Sequence, residues 1–193
     1  MSHSHKVILD LCGGTGAWSR PYAESGYDVR VVTLPDQDVR LYKHLGRVHG
    51  ILAATPCTHF SRVGAQFWKE KGSAALLEGL AVADACCRII LMTNPVWWAI
   101  ENPIGRLSNY LGPPHFKFDP YEFGDPWTKR TWLWGRFVPP VPIISEQARK
   151  GLPRAMAANA PGWKGDVATA LSRSALRSKT PNGFARAFFE ANP

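Results

Sequence analysis

Short apolar runs, each ending in a glycine-rich or polar segment, constrain the fold of this 193-residue chain most. Four such runs cover residues 7–11, 28–34, 50–54 and 96–100. Apolar runs of this length, bounded by turn-forming residues, are typical of strands buried in a sheet. Because helical patterns separate several of them, they favour an α/β fold with a mostly parallel sheet and helices on both faces.

Two helices are expected in the first half of the chain. The first covers residues 18–25, with Ser19 as a cap and Gly26 as its end. The clearer one covers residues 73–93, where apolar residues recur at steps of three and four. Its apolar stripe consists of Leu76, Leu80, Ala83, Cys87, Ile90 and Leu91. We interpret Cys86 and Cys87 as packing residues of this helix.

The composition becomes richer in proline and aromatic residues after Gly105. Residues 131–137 alternate as a late strand, for which an antiparallel direction is open. A final helix is expected with Thr180 as N-cap and Pro181 at its first position. We therefore expect a single domain over residues 1–193. It comprises a core at 7–137, a basic connector rich in Pro and Ala at 138–179, and a C-terminal helix at 180–193 that returns to the core.

The charge balance points to a polyanionic partner. The chain has 23 Lys and Arg against 15 Asp and Glu, a net charge of +8, and clustered cations displace counterions from phosphates. Residues 149–179 carry seven of these cations and one acid. No apolar run reaches the roughly 20 residues that span a bilayer, and the N-terminus lacks a signal-peptide pattern. The four cysteines show no zinc spacing, so we expect reduced thiols, no metal, no membrane association and a cytoplasmic location.

A glycine-rich turn follows the first apolar run. It reads Asp10-Leu-Cys12-Gly13-Gly14-Thr-Gly16 and precedes a predicted helix. Glycines let the backbone turn sharply and approach a ligand closely. The turn has neither the GxGxxG fingerprint nor a Walker lysine. Its position suits an adenosyl cofactor that lies over the carboxyl edge of the sheet.

Two later segments place a thiol and a carboxyl after strands. Pro56 and Cys57 lie in Pro-Cys-Thr-His-Phe-Ser, after the third run, and Glu101 and Asn102 follow the fourth. With residues 10–16 they resemble, in order, the first motif, the Pro-Cys loop and the Glu-Asn motif of the cytosine-C5 DNA methyltransferases. The resemblance implies a Rossmann-like, S-adenosylmethionine-dependent methyltransferase fold, in a compact form without an evident target-recognition domain.

Weaker motif matches extend the resemblance. Asp38 lies where the family has an acid that contacts the adenine side of the cofactor, and residues 128–130 resemble its Gln-x-Arg-x-Arg segment. Residues 181–185 resemble the last motif, which closes the cofactor pocket. The resemblance thus implies that S-adenosylmethionine is bound by Asp10, Cys12, Gly13, Gly14, Gly16, Asp38, Pro56 and Asn182.

The chemistry of cytosine methylation assigns roles to three residues. A Cys57 thiolate that adds to C6 of cytosine makes the weakly nucleophilic C5 reactive enough to attack a methyl sulfonium. A partly buried Glu101 can hydrogen-bond to or protonate N3. Arg130 is a candidate for holding the base carbonyl or a phosphate. The base has to leave a duplex to reach such a site.

Structural alternatives stand beside these roles. Cys57 can be a small buried hydrophobe, and Glu101 a helix cap or an ion-pair partner. His59 can be a catalytic base or a surface histidine. Arg130 can be a solvated surface charge.

The chain departs from the family at three places. Thr58 replaces the glutamine after the cysteine, and the second run ends in Val32-Thr33-Leu34 without the acid that usually binds the ribose. About forty residues separate Phe137 from the last helix, where the family carries its recognition domain. We expect methyl transfer to C5 of cytosine in DNA that is single-stranded or read with weak specificity, with a separate recognition subunit as a further partner. A free nucleotide as substrate, a group other than methyl, and an inactive nucleic-acid-binding module remain alternatives.

Overall fold

The computed structural model describes residues 3–44, 46–145, 147, 151–152 and 178–193. Most of the predicted basic connector, including Arg149, therefore lies outside the described residues. Among the described residues, every helix is too short or too polar to span a bilayer.

A six-stranded mixed sheet forms the centre of the structure, in the order β2-β1-β3-β4-β6-β5. Its strands are β1 (Val7–Leu11), β2 (Asp28–Val32), β3 (Gly50–Ala54), β4 (Trp97–Pro103), β5 (Phe116–Phe118) and β6 (Thr131–Arg136). The first four pair in parallel, whereas β6 runs antiparallel to both β4 and β5. The expectation of a mostly parallel α/β sheet is thus met only in part, because two of its five pairings are antiparallel.

The strand predictions differ from the structure mainly at strand ends. β1 and β3 have the predicted bounds, whereas β2 ends at Val32 rather than Leu34. β4 continues past Ile100 to Pro103 because β6 supplies antiparallel partners along its whole length. Glu101 and Asn102 consequently lie within a strand and not after it. β5, in the proline-rich segment, was not predicted.

Four α-helices occur in the described residues: α1 (Arg20–Glu24), α2 (Trp68–Thr93), α3 (Ser108–Leu111) and α4 (Asn182–Ala191). Ser19 lies at the N-cap position of α1, as predicted, but it makes no capping bond, because its hydroxyl donates to the Asp10 carboxylate instead. α2 is regular from Ser73 onward, as predicted, and Gly72 interrupts the preceding turn with φ +70°.

The start of α4 also differs from the prediction. Its N-cap is Pro181 rather than Thr180, and Pro181 makes no side-chain capping bond. The carboxyl of Asp125, from the loop before β6, lies beside Gly183, whose backbone amide offsets part of the burial-driven rise in the pKa of Asp125. A Cβ at Gly183 would lie 1.9 Å from the Phe123 carbonyl oxygen. Residues distant in sequence, which a local pattern cannot supply, thus surround the start of this helix.

Two apolar layers cover the two faces of the sheet. One joins Leu9, Leu11 and Ile51 to residues of α2, including the fully buried Cys86. Leu91 does not belong to this layer: it was predicted to lie in the apolar stripe, but its side chain is 80 % exposed. The other layer joins strand residues to α1 and α4, where Phe184 stacks on Phe118 at 3.8 Å between ring centroids. Helices on both faces are therefore confirmed.

The contact between Gly50 and Trp97 gives a test of this packing. The two residues are partners in the β3–β4 register, and a Cβ at Gly50 would lie 2.1 Å from the Trp97 indole. We expect Gly50→Ala to lower the free energy of unfolding by about 1–3 kcal/mol through overpacking, measured by urea denaturation. Gly64→Ala is the matched control, because a Cβ there meets nothing within 4 Å. An equal loss in both variants would contradict this account.

Candidate active site

The glycine-rich turn after β1 is folded tightly over its own aspartate. A Cβ at Gly13 would lie 2.3 Å from the Asp10 carboxyl carbon, so only glycine fits there. Gly14 and Gly16 have φ of +55° and +66°, and the space beside Gly14 is open. Cys12 also has a positive φ, +58°, and its amide donates to the Val32 carbonyl at 2.7 Å. The turn thus exposes its backbone at the end of β1, as a ligand cradle requires.

Asp10 is fully buried beneath this turn. Its Oδ2 accepts a 2.5 Å hydrogen bond from the Ser19 hydroxyl, and Oδ1 has no partner among the described residues. Burial raises the pKa of Asp10 to about 6, although the bonds from Ser19 favour the charged form. Asp10 therefore orders the turn from within and is protonated in mildly acidic solution.

A cavity of about 230 Å³ opens between the ends of β1 and β2, the start of the Cys57 loop (residues 55–67) and α2. Its lining residues are Cys12, Val32, Thr33, Leu34, Gln37, Asp38, Val39, Arg40, Pro56, His59, Glu78, Gly79 and Val82. Asp38 and Pro56, both predicted to bind a cofactor, lie in this wall. The Asp38 carboxylate is engaged by Arg40 at 2.6 Å, and Val32, which ends β2, supplies no acid.

Two cysteines meet behind the cavity wall. The Cys86 thiol donates a hydrogen bond to Cys12, which lowers the pKa of Cys12. The same bond and its burial in the core raise the pKa of Cys86 well above its usual range. The predicted packing role of Cys86 is confirmed by its burial, and the contact ties α2 to the glycine-rich turn.

The Cys57 loop begins with a single 3-10 turn over Cys57–His59. Cys57 is half-buried, and its carbonyl accepts from the amides of Phe60 at 3.1 Å and Ser61 at 2.9 Å. Phe60 is fully buried and anchors the loop in the α2 layer. His59 lines the cavity, with Nε2 4.0 Å from the Glu78 carboxylate. Cys57 thus lies on a folded turn rather than in the packed interior.

A buried hydrogen-bond network joins the start of this loop to β4. The Asn102 amide donates to the Thr55 carbonyl at 2.9 Å and to its hydroxyl oxygen at 3.1 Å. The Thr55 hydroxyl donates to the Glu101 carbonyl at 3.3 Å. Ala54 is also the register partner of Glu101. The chain that carries Cys57 therefore leaves the sheet directly beside Glu101.

Glu101 is a buried carboxyl beside a lysine. It is 9 % exposed, and its Oε1 lies 3.9 Å from Nζ of Lys129. Burial raises the pKa of Glu101, and the Lys129 cation offsets part of that rise. Glu101 therefore keeps its proton to a higher pH than a solvent-exposed glutamate does.

Arg130 and Asn182 lie apart from this cluster. Nε of Arg130 is 3.3 Å from Oδ2 of Asp119, a carboxylate buried at the end of β5. Asn182 is exposed at the first position of α4 and does not line the cavity. The structure thus groups Asp10, Cys12, Gly13, Gly14, Gly16, Asp38, Pro56, Cys57 and Glu101 at one sheet edge.

Sequence reasoning missed Lys129, Thr55 and Arg106. Lys129 adjoins Arg130 in the same short motif. The sequence therefore indicated a cation at this place, but it did not indicate which of the two side chains points toward Glu101. Within the described ranges, no group of three or more His, Cys, Asp or Glu residues is placed to hold a metal ion.

No family model and no curated protein matches this chain. Among solved structures, one similar chain is a crystal structure from E. coli, described provisionally as a DNA modification methyltransferase encoded within a prophage. The two are 18% identical with a TM-score of 0.46, and the match covers 68% of this chain and 46% of that chain. This chain therefore spans less than half the length of that protein.

Asp10 predicts a pH-dependent stability. A carboxyl whose pKa rises on folding stabilises the fold at low pH, and that contribution is lost as the pH rises from 3.8 to about 6. We expect Asp10→Asn to remove up to about 3 kcal/mol of this dependence, seen as a flatter free energy of unfolding between pH 3.5 and 7. Asp84→Asn, at an exposed position of α2, is the control. Parallel pH profiles for the wild type and Asp10→Asn would contradict the assignment.

Lys129 predicts the protonation of Glu101. Removing the cation in Lys129→Met should raise the pKa of Glu101 further, because the Lys129 charge now favours its ionised form. Carboxyl ¹³C NMR titration, with Glu101→Gln to assign the resonance, measures this directly. Lys117→Met, at an exposed position on β5, should leave the titration unchanged. An unmoved or lowered Glu101 pKa in Lys129→Met would exclude the interaction.

Proposed function

We propose that this protein transfers a methyl group from S-adenosylmethionine to C5 of cytosine in DNA, through a covalent adduct with Cys57. The observation that carries the proposal is the Asn102–Thr55 network, which holds the Cys57 loop beside a buried carboxyl at one sheet edge. A thiol, a buried carboxyl and a cavity that borders the glycine-rich turn at Cys12, all near the ends of three adjacent strands, match the groups that this reaction needs.

Cys57 forms the covalent bond. Its thiolate adds to C6 of the extruded cytosine, which places the electron pair of the C5–C6 double bond at C5. After C5 has gained the methyl group, a base removes the C5 proton and the C6–sulfur bond breaks. The thiolate is thereby regenerated. A half-buried turn fits this role, because the sulfur has to be reachable from solvent.

Glu101 controls the charge on the ring. A protonated Glu101 donates to N3, so that the negative charge of the adduct is not left on the base. The raised pKa of Glu101 favours the protonated form that this role requires. Lys129 is the nearby cation, and we assign to it the contact with the base carbonyl that the sequence motif suggested for Arg130.

The backbone around the cavity suits an adenosyl cofactor, whereas the charged groups in its lining differ from those that the resemblance implies. The space beside Gly14 is open, and Cys12 and Pro56 border the cavity. When bound, S-adenosylmethionine supplies an electrophilic methyl group. Asp38 has to leave Arg40, or share it, to contact the cofactor.

The segment over residues 58–71, which follows Cys57, carries three exposed cations and one exposed acid, Glu70. Arg62, Lys69 and Lys71 are exposed on the segment that follows the thiol, and the chain carries a net charge of +8. Such cations bind phosphates without reading the bases. We therefore propose a DNA substrate with weak intrinsic sequence specificity, and a separate subunit where a defined target is read.

One observation favours a second function. The cavity combines an Asp38 carboxylate already paired with Arg40 and a β2 end without an acid. A chain that no longer binds the cofactor would act as a nucleic-acid-binding module. Calorimetry with S-adenosylmethionine separates the two functions: salt-sensitive DNA binding without cofactor binding supports the module.

Covalent trapping tests the proposed reaction. DNA containing 5-fluorocytosine cannot lose its C5 substituent as a proton, so incubation with cofactor should leave a denaturant-resistant complex at Cys57, located by mass spectrometry. Cys57→Ser should form no covalent complex. Glu101→Gln should form the complex at a rate about 100-fold below that of the wild type.

Cys87→Ser is the matched control, because this thiol lies half-buried on α2 and takes no part in the proposed chemistry. Its complex should form at the wild-type rate. A complex with the free 5-fluorocytosine nucleotide but none with DNA would make the nucleotide the substrate. An unmodified Cys57 with both substrates would refute the reaction.

A further inference from the structure

The segment after β4 clamps the Cys57 loop with main-chain bonds. The Arg106 amide donates to the Phe60 carbonyl and the Arg62 amide donates to the Ile104 carbonyl, both at 2.9 Å. A Cβ at Gly105 would lie 1.9 Å from the Phe60 carbonyl oxygen, so the two chains are in direct contact. The loop is therefore paired along its middle with the continuation of the strand that carries Glu101.

The side chain of Arg106 adds a second attachment. Its Nε donates to the His59 carbonyl at 2.7 Å, and its guanidinium carbon lies 4.5 Å from the centroid of the Trp68 ring. His59 ends the first turn of the loop, and Trp68 begins α2 immediately after the loop. One guanidinium thus holds both ends of the chain between Cys57 and α2.

Cys57 lies between two anchors that come from a five-residue segment. Asn102 holds Thr55, two residues before the thiol, and Arg106 holds His59, two residues after it. Glu101 precedes this segment directly. The positions of the thiol and the carboxyl are consequently tied to the same short piece of backbone.

We propose that Arg106 is a positioning residue that sets the location of the Cys57 sulfur relative to Glu101. The inference rests on the proposed role of Cys57 as the nucleophile. Arg106 acts through the His59 carbonyl and the Trp68 ring, the two groups that its guanidinium contacts. A planar guanidinium can donate and stack at once, which lysine does less well.

Arg106→Gln should reduce the order of the loop and the rate of the chemical step. In hydrogen–deuterium exchange of the full chain, we expect faster amide exchange confined to residues 57–67. Because misplacing a reacting group mainly slows chemistry, kcat should fall about tenfold or more while KM changes less than about threefold. Compared with Arg106→Gln, Arg106→Lys should restore part of the protection of residues 57–67 against exchange and part of kcat. Arg186→Gln, at an exposed position of α4, is the matched control.

Trp68→Leu provides an independent variant that retains the arginine. It removes the stacking partner, and it should accelerate exchange in the same residues even where Arg106→Gln yields too little folded protein. Unchanged exchange in residues 57–67, or exchange that rises equally in β1 and β4, would overturn the positioning role. The hydrogen–deuterium exchange experiment tests only the positioning of the Cys57 loop by Arg106. A wild-type protein that never modifies cytosine would refute the proposed function, whereas faster exchange confined to residues 57–67 in the variants would still show that Arg106 holds the loop.

Discussion

The buried side chain of Asn102 is the contact on which the candidate site depends. Its amide donates to both oxygens of Thr55 and joins the exits of β3 and β4. A buried amide without these partners would cost about 1–3 kcal/mol for each unmade bond, so the two strand ends cannot separate cheaply. The thiol after β3 and the carboxyl on β4 are neighbours because this pairing is enforced inside the protein.

Three buried carboxyls show how neighbours decide the charge of similar groups. Asp10 has only the hydroxyl of Ser19, and its pKa rises to about 6. Glu101 faces Lys129 across 3.9 Å and retains a raised pKa. Asp119 lies beside the guanidinium of Arg130. The edge of the sheet thus holds one carboxyl bonded to a hydroxyl, one beside a lysine and one beside an arginine.

Residues at strand ends were predictable from the sequence, whereas side-chain partnerships were not. The glycine-rich turn, Cys57 and Glu101 follow apolar runs, and parallel strands bring such positions to one edge. Lys129 and Arg130 adjoin in sequence, so only the start of β6 decides which of them faces Glu101. The Asp38–Arg40 pair and the Asp125–Gly183 contact depend on tertiary distances that no local pattern records.

The interruption at Gly72 separates two parts of what is otherwise a continuous helix. From Ser73 onward α2 is fixed by its buried face, whereas Trp68, in the turn before Gly72, stacks on Arg106, which also holds the Cys57 loop. A residue with φ +70° serves as a joint between these parts. The turn that carries Trp68 can therefore change direction without shifting the buried part of α2, so that the Cys57 loop and the core can vary independently.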